Sequence, residues 1–416
     1  GRNDWASQLA NSSTSSFFYP SVGLSGVISE MIQMPSFIDY MKVRGSFSSV
    51  GMPYPRNLTS PTYEYNEATQ SWKPKTHYPI GDLKPERTDS WEVGLDMKLF
   101  KDFNLGLSWY LANTFNQTFD PQISVSSGYT TIYLQTGYVR NTGLELSLGY
   151  GHTWNNNFRW DSNFTLSHNK NKIKELVRDY VHPETGELIN KDRLDVGGLG
   201  KARFILKEGG TLGDLYTQSD LKRDDNGMVD IDPTGIVAIE NNLPDIKLGS
   251  VFPKANLAWS NHFSWKGISL SALFTARIGG IVYSATEAAM DQYGVSERSA
   301  LARDNGGVLV NNRTLVDAQN YYTTIGSESG LPQYYTYNAT NVRLQEASIG
   351  YLIPRKWLGN VCDIQVSVIG RNLWMIYNKA PFDPESVATT DNYYQGIDYF
   401  MLPSTRNIGF NVKINF

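Results

Sequence analysis

Asn407-Ile408-Gly409-Phe410-Asn411-Val412-Lys413-Ile414-Asn415-Phe416 are the last ten residues of the sequence. Ile408, Phe410, Val412, Ile414 and Phe416 share one parity, and Asn407, Gly409, Asn411, Lys413 and Asn415 the other. Successive side chains of an extended strand point to opposite faces. The alternation therefore predicts a strand with one apolar and one polar face. Its length also matches the ~9–11 residues that a tilted strand needs to cross a bilayer.

The same pattern recurs upstream. Trp91, Val93, Leu95, Met97 and Leu99 alternate with Glu92, Gly94, Asp96 and Lys98. Leu105, Leu107, Trp109 and Leu111 follow, then Leu144, Leu146, Leu148 and Tyr150. Phe164 with Leu166, Ile268 with Leu270, and Ile364 with Val366 and Val368 continue it. Long strands are expected near 17–29, 38–51, 90–100, 104–119, 138–152, 158–172, 253–265, 267–279, 341–353, 361–377 and 405–416. No segment of that length carries a helical stripe, so helices are expected only as short turns in loops. The fold class expected is all-β.

Composition narrows the choice. The 416 residues include no run near the ~18 apolar residues of a membrane-spanning helix. A membrane β-barrel escapes that exclusion, because its strands are apolar only at alternate positions. Lys plus Arg is 37 against 41 Asp plus Glu, and this balance gives no electrostatic reason to expect a nucleic-acid partner. The lone Cys362 excludes an internal disulfide or a cysteine zinc cluster. The polar faces of the strands are mostly Asn, Ser, Thr and Gly, which suits a wet lumen better than the Lys- and Glu-rich exterior of a soluble sandwich. Short links (30–38, 100–103, 152–157, 265–267 and 354–361) alternate with long ones (52–89, 120–137, 173–252, 280–340 and 378–404). Outer-membrane barrels have short periplasmic turns and long external loops in this alternation.

Several stretches carry a family resemblance. Leu83-Lys84-Pro85-Glu86-Arg87-Thr88-Asp89-Ser90-Trp91-Glu92-Val93-Gly94-Leu95-Asp96 resembles a landmark segment of the SusC/RagA-like TonB-dependent outer-membrane receptors of Bacteroidetes. Phe18–Leu24, Asn141–Leu146, Val342–Tyr351, Gly370–Leu373 and Phe382–Glu385 resemble further landmarks in the family's order, with Gly26 where the family has Trp. The resemblance implies a transmembrane antiparallel β-barrel in the bacterial cell outer membrane, of which this chain supplies about half of 22 strands. It implies active import of oligosaccharides or peptides with a SusD-like surface lipoprotein, and energy from TonB–ExbB–ExbD. Residues 1–416 are expected to be the C-terminal part of the barrel, with the signal peptide, TonB box and plug domain lying outside this chain and Gly1–Trp5 forming the top of a preceding strand. The rival readings are a passive porin or adhesin barrel and a soluble secreted glycan-binding β-protein.

No catalytic motif appears, so no enzyme and no cofactor are expected. His77, His152, His168, His182 and His262 are scattered, no serine sits in G-x-S-x-G, and Gly200-Lys201 is followed by Ala202 rather than by the Ser or Thr of a phosphate loop. Asp224, Asn226 and Asp230 form a weak candidate for structural calcium, since oxygen ligands are dense around Gly227. Against it, Lys222 and Pro233 stand where a full loop would place its first carboxylate and its bidentate Glu. Tyr63, Tyr65, Trp72, Tyr78, Tyr334, Tyr335, Tyr393 and Tyr394 are candidates to touch substrate or lid, because aromatic faces suit the C–H faces of sugars and phenols hydrogen-bond polar groups. Trp91, Trp109, Tyr150, Trp160, Trp259 and Trp265 are expected in interfacial girdles.

Overall fold

The computed structural model describes residues 1–6, 15–53, 63–74, 77–78, 84–119, 129, 131–132, 134–154, 157–181, 186, 188–389 and 394–416. Eleven strands form one sheet in chain order. They are β1 (Ser21–Val27), β2 (Ile38–Met52), β3 (Glu86–Leu99), β4 (Phe103–Phe119), β5 (Leu134–Thr153), β6 (Arg159–Glu175), β7 (Ala255–Trp265), β8 (Ile268–Ile278), β9 (Asn341–Ile353), β10 (Asp363–Asn378) and β11 (Asn407–Asn415). Every neighbouring pair is antiparallel.

Register converts the sequence alternation into belts. Val43, Leu95, Leu107, Leu146, Leu166, Leu257, Ala276 and Val342 are partners in one cross-strand row. Two residues along each strand lies a second row: Met41, Met97, Leu105, Leu148, Phe164, Trp259, Phe274 and Leu344. Among the described residues nothing covers the face these rows share: Val43, Val93, Trp109, Leu148, Trp259, Leu270, Ile349 and Phe410 are all exposed on it, Phe410 by 83%. An uncovered apolar face of this extent marks contact with an apolar phase. Toward the short-turn end, Phe103, Tyr150, Trp160 and Phe263 contact one another in sequence at centroid distances of 4.8, 5.1 and 5.9 Å, tilted, edge-on and stacked in turn. These rings form part of the expected girdle.

The short links are tight. Lys266 and Gly267 both have positive φ, 47° and 88°, as a two-residue hairpin turn requires. The first expected strand, 17–29, is corrected. It breaks at Pro20, which has no N–H for the ladder. Ser16–Tyr19 pairs instead with Arg2–Trp5, and Ile28–Met31 is a single helical turn.

The buried core lies in the long links. Arg193–Leu199, Ala202–Lys207, Asp214–Thr217 and Ile246–Ser250 make a four-stranded sheet. Between 280 and 340 run α1 (Ala285–Gln292), α2 (Glu297–Asp304) and α3 (Ala318–Gly326). Ser284, Ser296 and Asp317 cap them by accepting from the backbone N–H of Glu287, Ser299 and Asn320. Phe204, Leu215, Val251, Tyr283, Leu331 and Tyr335 are fully buried together. A second cluster, Val139, Ile173, Leu176, Leu206 and Leu212, seats this loop unit on β5 and β6.

Candidate functional site

The polar parity of the wall carries arginine clamps. Arg44 on β2 reaches across two strands: Nη1 donates to Asp96 Oδ2 at 2.8 Å, and Nη2 to Glu92 Oε1 at 3.2 Å and Ser108 Oγ at 2.6 Å. Gly94 makes the crossing possible, because a Cβ there would stand 2.5 Å from the Arg44 guanidinium carbon. Gly143 likewise lets the Tyr110 ring lie flat, since a Cβ would come within 2.2 Å of it. Two glycines of the landmark segments thus serve close approach on the polar face. A depression of about 760 Å³ runs along this face, past Ser147 and Asn256 to Arg277 and Glu385.

A second clamp fixes the loop after β10. Arg343, its side chain 5% exposed, donates from Nη2 to Asp383 Oδ1 at 2.8 Å and from Nη1 to Oδ2 at 3.1 Å. Glu385 lies 3.3 Å from the same guanidinium and accepts from Asn341 Nδ2 at 3.2 Å. The landmark stretches around Val342 and Phe382 therefore meet in space. Their residues stand in plain view in the sequence, but the pairing of positions 40 apart does not.

The aromatic candidates divide. Tyr63, Tyr65 and Trp72 stand on the hairpin Tyr63–Asn66/Ser71–Pro74 and are exposed by 67%, 46% and 66%. Tyr65 and Trp72 are cross-strand partners with ring centroids 5.0 Å apart. Tyr394 is exposed, has φ of 65° and sets its ring edge-on to Phe204 at 6.3 Å. Tyr334 is half-buried against the loop core. Tyr335 is corrected: it is wholly buried, its hydroxyl donates to Asp291 Oδ2 at 2.9 Å, and the Arg298 guanidinium lies 4.7 Å over its ring. Burial, with the Asp291 carboxylate next to it, holds this phenol well above its ordinary pKa. Tyr335 therefore braces the loop unit. Tyr78 belongs to the two-residue strand His77–Tyr78, paired in parallel with Thr131–Ile132, and Tyr393 lies outside the described residues.

At the calcium candidate the carboxylates already have partners. Asp224 Oδ1 accepts from the backbone N–H of Asn226 and Met228, both at 2.9 Å, and closes a turn through Gly227. Asp230 pairs with Lys222 Nζ at 2.9 Å. Asp232 repeats the turn eight residues on, accepting from the Thr234 and Ile236 backbone. The carboxylates are spent on turns and an ion pair, and no metal-holding cluster of acids, His or Cys occurs among the described residues.

Asp245 ties the loop sheet together. It takes Arg193 Nε and Nη2 at 2.6 and 2.9 Å and Lys207 Nζ at 2.9 Å, with its own side chain 7% exposed. The Arg193 hydrogen bonds first, then Lys207, hold its carboxyl down at about 2. A depressed carboxylate stabilises fully above its unfolded pKa, near 3.9, and that contribution is lost as pH falls through about 2. Amide exchange of the loop sheet is thus expected to give a stability flat from pH 7 to about 4 and declining below. Asp245→Asn is expected to remove about 2 kcal/mol at neutral pH. Equal protection in both proteins at pH 7 would contradict this account of Asp245.

Residues 1–234, more than half of the chain, match the family model described as TonB dependent receptor-like, beta-barrel. The chain belongs to this family. As a TonB-dependent receptor barrel it resides in the outer membrane, and its family is one of transporters, not of enzymes. TonB-dependent receptor P3 of Formosa agariphila is 25% identical over 372 residues, covering 81% of this chain and 35% of that protein. TonB-dependent receptor P26 of the same organism is 24% identical across the whole chain and 44% of its own length. Among solved structures, the RagAB peptide transporter superposes with a TM-score of 0.74 at 19% identity, covering 100% of this chain and 45% of that one. The RagAB peptide importer in its open-open state gives 0.70 at 18%, covering 98% and 43%. The TonB-dependent receptor chain described here thus spans less than half the length of these relatives.

Proposed function

We propose that this chain is the C-terminal part of the barrel of an active importer. It takes up oligosaccharides or peptides beneath a SusD-like surface lipoprotein. Its energy comes from TonB–ExbB–ExbD through an N-terminal portion that carries the plug and completes the wall. The observation that carries the reading is the two-sided sheet: an uncovered apolar belt on one face, a clamped Arg, Glu and Asp lining on the other. A loop unit with exposed aromatics is joined to its long-link end. The superposable RagAB complex is described as a peptide importer, which supports the peptide alternative and a lid subunit.

The test is uptake by cells carrying the whole receptor and its neighbouring lipoprotein, with labelled oligosaccharides and labelled peptides in parallel. Uptake of one class is expected to stop on adding a protonophore or deleting TonB. Uptake that continues without either would leave a passive pore. Tyr65→Ala with Trp72→Ala is expected to weaken capture about tenfold, in line with ~0.5–1.5 kcal/mol per aromatic contact. Unchanged capture would remove the hairpin from the site.

A further inference from the structure

On the apolar parity of β6 the sequence changes abruptly. Phe164 and Leu166 belong to the belt, and the next residues on that parity are His168, Lys170 and Lys172. Lys170 faces Thr142 across the ladder, and Lys172 faces Arg140. Two cations placed directly opposite one another on a sheet repel. Neither is neutralised here. Arg140 donates from Nε to Asn113 Oδ1 at 2.9 Å and from Nη2 to the Tyr138 hydroxyl, both uncharged acceptors. Lys170 and Lys172 are exposed, and no ion pair forms to either among the described residues. The carboxylate in the same row, Asp89, lies two strands from Arg140 and three from Lys172, and is held by Arg87 at 2.8 Å. Glu175 faces Arg178. Lys174 adds a further cation in the bulge that follows.

The level of these charges identifies what neutralises them. A strand rises ~3.3 Å per residue and tilts ~40° in a barrel, so two residues climb about 5 Å. Lys170 and Lys172 then stand about 10 and 15 Å above Leu166, the last belt residue of β6, near the upper edge of the apolar band, from which their long side chains snorkel to headgroup height. Beside them β6 and β7 part company: their pairing ends at Ser167 and Asn256. A cleft of about 480 Å³ adjoins the gap, lined by His168, Lys170, Thr211, Ser250 and Lys254 over Phe252 and Pro253.

We propose that Lys170, Lys172 and Arg140 bind the phosphate-bearing sugar headgroup of an outer-leaflet glycolipid, seating that lipid against the barrel wall at β5–β6. This goes beyond the import reading and needs only that the belt faces lipid. A column of cations spread over two rows suits a headgroup with more than one phosphate.

The test uses the whole receptor in phosphatidylcholine nanodiscs that contain bisphosphorylated lipid A, or the same lipid after enzymatic dephosphorylation, read by native mass spectrometry. The wild type is expected to retain the bisphosphorylated lipid and to release the dephosphorylated one. K170Q with K172Q is expected to lower retention about 25-fold, about fivefold for each lysine. The pair K170R with K172R is expected to keep it. Equal retention by the Gln pair, equal retention of the dephosphorylated lipid, or displacement by millimolar inorganic phosphate would each overturn the proposal. If the Gln pair fails to assemble, the dephosphorylated lipid against wild type still decides it.

Discussion

Asp383→Ala is expected to release the segment that follows β10. The Arg343 guanidinium, 5% exposed, keeps Glu385 at 3.3 Å but loses both of its Asp383 bonds. Breaking a buried pair outright costs about 3–5 kcal/mol, and the half-exposed Glu385 compensates the Arg343 charge only in part, so a loss toward the lower end of that range is expected. The loss falls on contacts that hold Ala380 and Phe382 against Val282, Tyr337 and Ala339. Limited proteolysis of the whole receptor is expected to cut between 379 and 404 in the variant and not in the wild type. Replacing both partners, Arg343→Met with Asp383→Leu, is expected to restore most of the resistance, because no buried charge is then left: Glu385 is half-exposed and still accepts from Asn341. Equal resistance in Asp383→Ala and wild type would show that the clamp does not hold this loop.

Leu146→Arg is expected to be the most damaging change in the wall. Leu146 sits in the row that runs from Val43 to Val342, between Leu107 and Leu166. An arginine at the bilayer midplane of an outer-membrane barrel costs about 2–4 kcal/mol. Its sequence neighbour Ser147 lines the opposite, polar face, next to Gly106 and Thr165. Ser147→Arg is expected to cost little, since water and the nearby Glu145 side of the lining receive the charge. The reading is the urea midpoint of refolding into detergent or lipid vesicles. Equal effects at 146 and 147 would mean that the two faces are not solvated differently.

The wall was open to sequence reasoning because its physics is local. Leu95, Leu107, Leu146 and Leu166 each lie in a period-two run, and register merely lines the runs up. The exception at Pro20 is local too, a missing N–H, but the alternation on both sides masks it. The loop unit is different. Phe204, Leu215, Tyr283 and Tyr335 bury one another from segments far apart in the chain, on elements too short to show a period. Hence Tyr335 looked like a surface aromatic and proved to be core. Asp224 and Asp230 carried the right atoms for a cation, but the backbone and Lys222 claimed them first. The Arg44 and Arg343 clamps needed three-dimensional proximity, and only the glycine at 94 hinted that a neighbour passes close by.

One experiment goes to the orientation of the faces. In the whole receptor with Cys362→Ser, nitroxide labels placed singly from 144 to 148 in a bilayer report contact with oxygen, which concentrates in lipid, and with a water-soluble nickel complex. Strict alternation is expected: 144, 146 and 148 relaxed by oxygen, 145 and 147 by nickel. Labels at 144, 146 and 148 that are shielded from both, as in a dry interior, would contradict it.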